Sequence, residues 1–409
     1  MNQAAASNQL IISADSHAGA DLLDYRPYLE SRLHDEFDTW AKGYVNPFAD
    51  LQAPEAARNW DSDRRLRELE EDGIVAEVLF PNTIPPFFPS ANLTAPHPTP
   101  GEYALRAAGL RAHNRWMADF CAQAPGRRAG VAQIMLNDVD DAVEEIRWAH
   151  AAGLTGGVLV PGVAPGASVP PLHSEVYDPI WRTCAELGMP VNHHGGTGAP
   201  GLEPNPVSLA VFIVEVSWYA HRALWHLIFG GVFERHPDLR FVLTEQGSDW
   251  IPGVLKTLDY YYSRFRSGDA TAEAKFGGPA AARLSLKPSE YFARNCHVGA
   301  TFMKPSETPL RYEIGVERLM WGSDFPHDEG TFPYSREALR RTFHDVPPEE
   351  KAAILAGNAA RVYGFDLDAL RPHADRVGPS AQELARPLTE LPEGATSPVF
   401  NPETIIRAW

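Results

Sequence analysis

Short apolar runs recur along the chain, and most of them end abruptly in polar or glycine residues. The run at 319–321 is followed by Gly-Ser-Asp-Phe-Pro-His, and the run at 10–12 is followed by Ser-Ala-Asp-Ser-His. Apolar runs of this length, bounded by turn-forming residues, predict short buried strands. Six further strands are predicted on the same pattern, at residues 75–80, 129–136, 157–160, 189–196, 240–243 and 296–302.

Between these runs the apolar residues take the wider spacing of helices. Helices are predicted at residues 63–72, 102–122, 138–152, 178–187, 217–236, 249–265 and 347–363. Because strands and helices alternate, the pattern predicts parallel β/α units. Such units in a chain of 409 residues fit an α/β fold, the TIM (β/α)8 barrel. We therefore expect a barrel domain at 8–366 and a C-terminal extension at 367–409, which wraps the surface or a partner subunit.

Long connections follow several of the predicted strands. Residues 20–62 are rich in aromatics and are interpreted as a decoration over the barrel mouth, while 81–100 and 195–208 are rich in Pro and Gly. Long irregular loops in compact domains are usually functional lids or disordered segments. Phe87 and Phe88 are interpreted either as the apolar wall of a substrate pocket under a lid or as rings packed in the protein's own core.

The bulk composition excludes several classes of protein. Hydrophobic residues make up 44% of the chain and charged residues 22%, an ordinary globular balance. The formal net charge of −17 argues against nucleic acid and anionic membranes as partners. Three Cys without a CxxC pair fit a reducing compartment. With no signal-peptide pattern and no apolar run of about 18 residues, we expect a cytoplasmic protein without a membrane span.

The polar residues that end the predicted strands include side chains of the metal-ligand type. Residues i and i+2 of a strand point to the same face, so Asp15 and His17 can face one ion. In a β/α barrel the C-terminal ends of the strands face the active site. The full set of candidate metal ligands comprises Asp15, His17, His194, Glu245, Asp324 and His327.

For several histidines and for Glu245, the sequence allows more than one role. His193 and His194 are adjacent and point to opposite faces of a strand, so His194, next to the glycine turn, is the expected ligand and His193 is expected to pack or hydrogen-bond. Glu245 is a metal ligand, a base, or a cap partner for the following helix. His221, near the start of its predicted helix, is a further site candidate, and His297 is interpreted as a core residue.

The chemistry of the candidate ligands limits the choice of metal. Imidazole and carboxylate ligands together indicate Zn, Fe, Mn or Co rather than a thiolate site. One catalytic Zn usually takes three protein ligands and keeps an open position, so six candidates are enough for two ions. The chain has no glycine-rich phosphate loop after the first strand and no Gly-x-Ser-x-Gly motif, which argues against nucleotide and serine-hydrolase chemistry.

Four stretches make the chain similar to the amidohydrolase-related family. They are Asp15-Ser16-His17, His194-Gly195, GSDFPHDEG at 322–330 and GNAARVYGF at 357–365. The resemblance covers most of residues 8–366 and implies a TIM barrel with strand-end metal ligands and hydrolase or non-oxidative decarboxylase chemistry. The metal ligands that it implies are Asp15, His17, His194 and Asp324.

One departure from the family pattern changes the expected chemistry. The decarboxylases of this family tend to have a His at the end of the sixth strand, where this chain has Glu245, and His327 is additional. This pattern is more similar to the branch that contains the non-haem diiron monooxygenase of platensimycin-type diterpenoid biosynthesis. The resemblance therefore implies two iron ions, O2 and a bulky hydrophobic acyl substrate such as a diterpenoid, often CoA-linked, with Glu245 and His327 as catalytic residues.

The alternative interpretation is a hydrolase or non-oxidative decarboxylase with one Zn or Mn ion. The ion would polarise a carbonyl or carboxylate and activate water, and Glu245 would be a general base. In both interpretations the partner is a small-molecule substrate, and a homo-oligomer is left open.

Overall fold

The computed structural model of the protein describes residues 8–46, 51, 54–89, 95–201, 203, 205–300 and 302–401. Parts of five predicted segments lie outside these residues: 47–50 and 52–53 in the expected decoration, 90–94 and 202 and 204 in the two long loops, 301 in the predicted strand at 296–302, and 402–409 in the C-terminal extension.

Eight parallel strands form the centre of the described fold. They are β1 (Ile12–Ala18), β2 (Ala76–Pro81), β3 (Arg128–Gln133), β4 (Gly157–Leu159), β5 (Val191–His194), β6 (Phe241–Thr244), β7 (Cys296–Ala300) and β8 (Leu319–Trp321). Each strand pairs with the next in chain order. At the end of β8, Phe325 bridges back to Ser16 of β1, and the backbone N–H of His17 donates to the Phe325 carbonyl at 2.7 Å. The predicted TIM barrel is therefore confirmed.

Helices connect the strands and continue into the C-terminal extension. The described α-helices are α1 (His34–Gly43), α2 (Ser62–Glu71), α3 (Tyr103–Ala122), α4 (Val139–Ala151), α5 (Asp178–Leu187), α6 (Pro206–Phe229), α7 (Val232–Arg235), α8 (Ile251–Phe265), α9 (Ala272–Ala281), α10 (Pro288–Asn295), α11 (Arg311–Ile314), α12 (Ser335–Phe343), α13 (Pro348–Ala352), α14 (Asn358–Tyr363), α15 (Leu367–Val377) and α16 (Ala381–Leu384). Local capping explains some starts: the Asp138 carboxylate accepts hydrogen bonds from the first backbone N–H groups of α4.

Three helical segments depart from the prediction. Helix α6 begins at Pro206, well before the predicted start at 217, because the Asn205 side chain caps it and Pro suits the first helical position. The stretch at 268–290, for which no helix was predicted, contains α9 and the start of α10. The predicted closing helix at 347–363 is interrupted by a π-helical turn, Ala353–Gly357.

Alternating strand residues divide between two buried apolar clusters. One cluster contains Val78 and Val131 together with Tyr363 of α14, and the other contains their sequence neighbours Leu79 and Ala132 together with the surrounding helices. Neighbouring residues of a strand point to opposite faces. The first cluster therefore fills the barrel and the second attaches the helices, which leaves the C-terminal strand ends free to build a site.

The C-terminal extension lies against the barrel. The backbone N–H of Gln9 donates to the Pro379 carbonyl at 2.8 Å, the Thr396 hydroxyl donates to the Asp328 carbonyl, and Phe400 is buried in a small apolar cluster with α12. As far as residue 401, the extension thus wraps the surface. The division of the chain into two domains stays a prediction.

The loop after β2 buries Phe88 and partly buries Phe87. Phe88 is fully buried and the Arg106 guanidinium lies 4.4 Å from its ring centre. The Phe87 ring lies 5.7 Å from that of Trp40 and 6.2 Å from that of Phe37. Phe88 is therefore packed in the protein's own core. Phe87 is partly buried against its aromatic neighbours, and its interpretation as part of a pocket wall stays a prediction.

Helix α6 is apolar and poorly covered. By length and composition alone it could cross a membrane, and 17% of its most apolar 18-residue stretch is buried. Polar residues interrupt its apolar sequence, so the absence of an unbroken apolar run did not exclude such a helix. A single such helix is weak evidence of a membrane protein.

Asp72, which follows α2, is buried next to the start of α12. Its carboxylate accepts the backbone N–H of Ser335 at 3.0 Å. Burial, only partly offset by the Ser335 hydrogen bonds, raises the pKa of Asp72 from 3.8 to about 7.

Replacing Asp72 with Asn should stabilise the protein at pH 8 but not at pH 4. Between about pH 4 and 7 the native state keeps a proton that the unfolded chain has lost, so the free energy of unfolding falls as pH rises. The shift corresponds to an effect of about 4 kcal/mol, at roughly 1.4 kcal/mol per pKa unit. Urea unfolding between pH 4 and 8 measures it. The Asp63→Asn variant, at an exposed position, is the control. If the change in unfolding free energy caused by Asp72→Asn does not vary with pH, the prediction is contradicted.

Candidate metal centre

The junction of β1 and β8 brings two carboxylates and two imidazoles together. The backbone N–H of Asp324 donates to the Asp15 carbonyl at 2.9 Å. The His17 Nε2 atom lies 3.5 Å from an Asp15 oxygen and 3.2 Å from an Asp324 oxygen. His327 places its Nδ1 atom 2.9 Å from the same Asp324 oxygen and stacks on the His17 ring with centres 4.1 Å apart. The sequence pair Asp-x-His thus meets the end of β8, as predicted.

The ends of β5 and β6 complete the cluster. The Nε2 atom of His194 lies 3.5 Å from an Asp15 oxygen, and its Nδ1 atom lies 3.2 Å from a Glu245 oxygen. Asp15, His17, His194 and Glu245 each offer one ligand atom within 4.8 Å of the others. The structure therefore brings all six candidate ligands to one end of the barrel; their role as ligands stays a proposal.

The backbone at these strand ends is unusual and explains how the side chains converge. In β1 the pairing register with β2 shifts between Ser13 and Ser16, an irregularity of the kind that re-aims side chains next to active sites. Glu245 and Asp324 have φ angles of 52° and 60°, a left-handed conformation that is rare outside glycine and clusters at functional sites. A Cβ atom at Gly322 would lie 2.6 Å from the Asp15 Cβ atom, so only glycine allows this approach of β8 to β1.

The cluster combines three carboxylates with three imidazoles, and four of its six side chains are at most 1% exposed. Burial alone would raise the pKa of Asp324, but the facing His327 and His17 lower it. Burial lowers the pKa of His194 and His327, yet the neighbouring carboxylates outweigh it and raise these pKa values to about 9 and about 10. Burial raises the pKa of Glu245 to about 7, against the opposing charge of His194. Carboxylates that draw protons onto buried imidazoles create a field that favours a cation.

The donor atoms fit a divalent metal ion. The Nε2 atoms of His17 and His194 and both carboxylate oxygens of Asp324 are buried, and their short contacts with one another do not have hydrogen-bond geometry. Buried polar atoms are rarely left unsatisfied, and those that are usually indicate a function or an absent ion. Imidazole and carboxylate ligands suit Zn, Mn or Fe.

The other histidines considered from the sequence lie outside the cluster. His193 packs on the opposite face of β5, where its Nδ1 atom lies 3.1 Å from the Val160 carbonyl, as expected. His221 lies in the middle of α6 and stacks on Trp250 with ring centres 3.7 Å apart, so its predicted place near a helix start is wrong. His297 is buried in β7, and burial lowers its pKa to about 3.

Two contributors to the site were missed from the sequence. Asn82, directly after β2, lies with its Oδ1 atom 3.1 Å from the Nε2 atom of His327; as a polar strand-end residue it carried the same signal as the ligands. Arg65 of α2 is fully buried, donates to the His17 carbonyl at 2.7 Å and forms an ion pair with Glu77 of β2, also at 2.7 Å. Arg65 therefore holds the backbone of the candidate ligand His17 in place through this hydrogen bond.

A cavity of about 490 Å³ lies at the same mouth. The loops after β2, β4 and β5 and Phe212 of α6 line it, and its lining includes residues 95–97 and 196–201 from the two long loops. Small-molecule sites in proteins have about 300–1,000 Å³. The cavity is thus large enough for a small molecule, and none of the six candidate ligands lines it.

With this geometry established, comparison with known proteins identifies the family. The sequence matches the amidohydrolase family over residues 43–365. The chain belongs to the amidohydrolase family. The suspected relationship to the broader family is therefore confirmed.

Several of the proteins that the chain is similar to are decarboxylases. The chain is 29% identical to the gamma-resorcylate decarboxylase of Rhodococcus jostii over 282 residues, 65% of this chain and 77% of the relative. It resembles the structure of 5-carboxyvanillate decarboxylase from Sphingomonas paucimobilis with a TM-score of 0.63 at 21% identity, covering 88% of this chain and 100% of the other. A dihydroxybenzoic acid decarboxylase from Polaromonas with bound manganese and 2-nitroresorcinol gives a TM-score of 0.59 at 18% identity, covering 87% and 97%.

The expectation of a diiron monooxygenase is wrong, because these relatives are decarboxylases. They also lend no support to two irons or to O2. The structure supplies the physical reason for the error. Glu245 and His327 seemed surplus to a mononuclear site, yet Glu245 contacts the Nδ1 atom of His194 and His327 contacts Asp324. Groups that contact metal ligands in this way can orient the ligands of a single ion, so six candidate residues do not by themselves require a second metal.

Proposed function

We propose that the protein is a metal-dependent, non-oxidative decarboxylase of a small hydroxylated aromatic acid. The observation that carries the proposal is the buried cluster of imidazoles and carboxylates at the barrel mouth, in a chain whose relatives are named for decarboxylating such acids.

The ligand assignment follows from burial. Asp15, His17, His194 and Asp324 have side chains no more than 1% exposed, and we assign them to one divalent ion, Mn²⁺ or Zn²⁺. When bound, such an ion polarises the substrate's oxygen atoms and stabilises the negative charge that develops on them.

Glu245 and His327 are the proposed proton-carrying residues. Their side chains are 29% and 19% exposed, so a substrate in the mouth can reach them. Contacts with His194 and Asp324 fix their orientation. A general acid must lie within hydrogen-bond reach of the atom that it protonates, and these two residues alone of the six meet solvent.

The reaction needs no electron acceptor. The bond between the ring carbon and the carboxylate carbon breaks, its electron pair stays on the ring carbon, and CO2 leaves. The ring carbon takes one proton from protonated Glu245 or His327, and solvent at the mouth restores that proton. A ring hydroxyl next to the carboxylate favours this step because it feeds electron density to the carbon that is protonated.

Metal-loaded enzyme incubated with 2,6-dihydroxybenzoate, 2,3-dihydroxybenzoate or 5-carboxyvanillate should release CO2 and the corresponding phenol. In D2O the product should carry one deuterium at the carbon that lost the carboxylate, as detected by mass spectrometry. Chelation should stop the reaction and Mn²⁺ should restore it. Glu245→Gln or His327→Gln should lower kcat by about 10²–10⁴-fold, the range for a general acid or base, while metal content stays unchanged.

A different outcome would assign the protein to the hydrolases of its family. If no aromatic acid loses CO2 but the loaded enzyme cleaves ester, amide or lactone substrates, the decarboxylase proposal fails. Activity that is unaffected by both substitutions would reject the two proton-carrying residues while leaving the reaction itself standing.

A further inference from the structure

The turn that follows β6 carries Glu245 in a strained backbone conformation. Glu245 has a φ angle of 52° and Gly247 one of 63°, so both lie in the left-handed region. That region is unfavourable for a residue with a side chain, and a strained residue persists only where the surrounding structure holds it there. The neighbours of this turn must therefore supply the contacts that keep Glu245 in place.

The carboxyl group of Glu307 holds the far end of this turn from the loop that follows β7. One of its oxygens accepts the backbone N–H and the hydroxyl of Ser248, each at 2.7 Å. The other oxygen accepts the backbone N–H of Lys304 at 2.8 Å. Glu307 is 3% exposed and Ser248 is fully buried, so water does not compete for these hydrogen bonds. Glu307 thus ties the loop after β7 to the turn after β6.

A carboxyl group is rare in a buried position, and the proposed reaction does not use this one. Burial raises the pKa of Glu307, against the hydrogen bonds from Lys304 and Ser248 that lower it. The two oxygens face donors on both sides. A Gln side chain has one oxygen and one NH2 group, so it would turn a donor towards either Ser248 or Lys304. The position therefore requires both oxygens of a carboxyl group.

The near end of the turn is fixed by β5. The Gln246 side-chain amide donates to the His193 carbonyl at 2.8 Å. A Cβ atom on Gly195 would lie 2.3 Å from the Glu245 carbonyl oxygen, so the two backbones are in direct contact there. Held at both ends, the turn places a Glu245 oxygen 3.2 Å from the Nδ1 atom of His194.

We propose that Glu307 is a positioning residue, which sets the orientation of Glu245 by holding the turn between them. When Ser248 loses its acceptor, the turn can relax and Glu245 can take an ordinary φ angle, which moves its side chain away from His194. Misplacement of a reacting group by about 1 Å can cost about 10²-fold in rate. The inference rests on the proposed role of Glu245 as a proton-carrying residue.

Steady-state kinetics of Glu307→Gln in two backgrounds test the proposal. In the Mn²⁺-loaded enzyme the substitution should lower kcat by about 10–100-fold and change KM by less than about threefold, with metal content unchanged. In the Glu245→Gln background it should lower kcat by less than about twofold, because the residue that it positions has already lost its function.

The matched control is Asp259→Asn. Asp259 accepts the backbone N–H and the hydroxyl of Ser289 at 2.9 and 2.6 Å, the same pair of hydrogen bonds, but between α8 and α10. Its substitution should lower thermal stability and leave kcat unchanged. A smaller change, Ser248→Ala, removes only the hydroxyl donor. It should show the same dependence on Glu245 with a smaller loss of kcat, and it replaces Glu307→Gln if that variant does not fold.

Crystal structures of the intact protein and the Glu307→Gln variant give a readout that does not depend on activity. In the variant, the Glu245 side chain should lie farther from the Nδ1 atom of His194 than the 3.2 Å of the intact protein. A Glu245 side chain that keeps its place would overturn the proposal. So would an equal loss of kcat with and without Glu245→Gln, because Glu307 would then act elsewhere. If the intact enzyme decarboxylates none of the aromatic acids, the proposed function fails, and the position of Glu245 in the variant still decides whether Glu307 holds it.

Discussion

Replacing His194 with Ala should empty the metal centre and lower kcat/KM by about 10³-fold. His194 joins the β1 and β6 sides of the cluster, with its Nε2 atom 3.5 Å from Asp15 and its Nδ1 atom 3.2 Å from Glu245. A metal ion contributes several kcal/mol of transition-state stabilisation, and each 1.36 kcal/mol corresponds to about a tenfold change in rate. The two readouts are metal content after dialysis, measured by mass spectrometry of the digested protein, and decarboxylation of whichever of the three aromatic acids the intact enzyme converts.

The matched control is the next residue. His193→Gln changes an imidazole of the same strand that points to the opposite face and contacts the Val160 carbonyl. It should lower thermal stability without removing metal. If both variants retain metal, or if both lose it in proportion to their loss of stability, the assignment of His194 as a ligand is incorrect.

Replacing Arg65 with Met should cost about 3–5 kcal/mol of unfolding free energy, because it leaves the carboxylate of Glu77 buried without its closest partner. The Arg65 Nη2 atom lies 2.7 Å from a Glu77 oxygen, and both side chains are at most 1% exposed. Arg65 also donates to the His17 carbonyl and lies over the ring of Phe325, next to Asp324. We therefore expect metal affinity to fall as well, by about 10–100-fold, as for other residues that orient ligands.

Two further variants separate these effects. Arg64→Met, at the preceding residue, removes an ion pair with Glu68 that is partly exposed and should cost less than about 1 kcal/mol. Adding Glu77→Gln to Arg65→Met should recover part of the stability, since no unpaired carboxylate remains, but not the metal affinity, because the His17 carbonyl still lacks its donor. Urea unfolding and titration calorimetry measure the two quantities. Recovery of both together would mean that Arg65 acts on stability alone.

The convergence of the strand-end residues could be predicted because the C-terminal ends of all strands in a parallel barrel lie at the same rim. Asp15, His194, Glu245 and Asp324 all follow apolar runs, and parallel strands bring such ends to one rim. Short apolar runs and glycine turns located most strands within a few residues. The order of the strands then followed from the alternation with helices.

The grouping within the cluster could not be predicted, because it depends on distances of a few ångströms. Sequence position does not distinguish a residue that would hold an ion from one that orients its neighbour, and this ambiguity turned Glu245 and His327 into evidence for a second metal. The burial of Arg65 could not be predicted for a different reason. It lies in a helix where Arg64 and Arg67 are also charged, and only tertiary packing decides which of the three is buried.

The closing contact between β1 and β8 has a consequence for how this protein is made. The Ser13 and Ser323 hydroxyls lie 3.0 Å apart across that contact although 310 positions separate them in the chain, and Asp15 and Asp324 face each other there. Nearly the whole barrel therefore has to be synthesised before residues from both strands can bind an ion together. A ligand that binds only the native state stabilises the whole of that state. An ion bound here would therefore stabilise the barrel after it has closed and would not nucleate its folding.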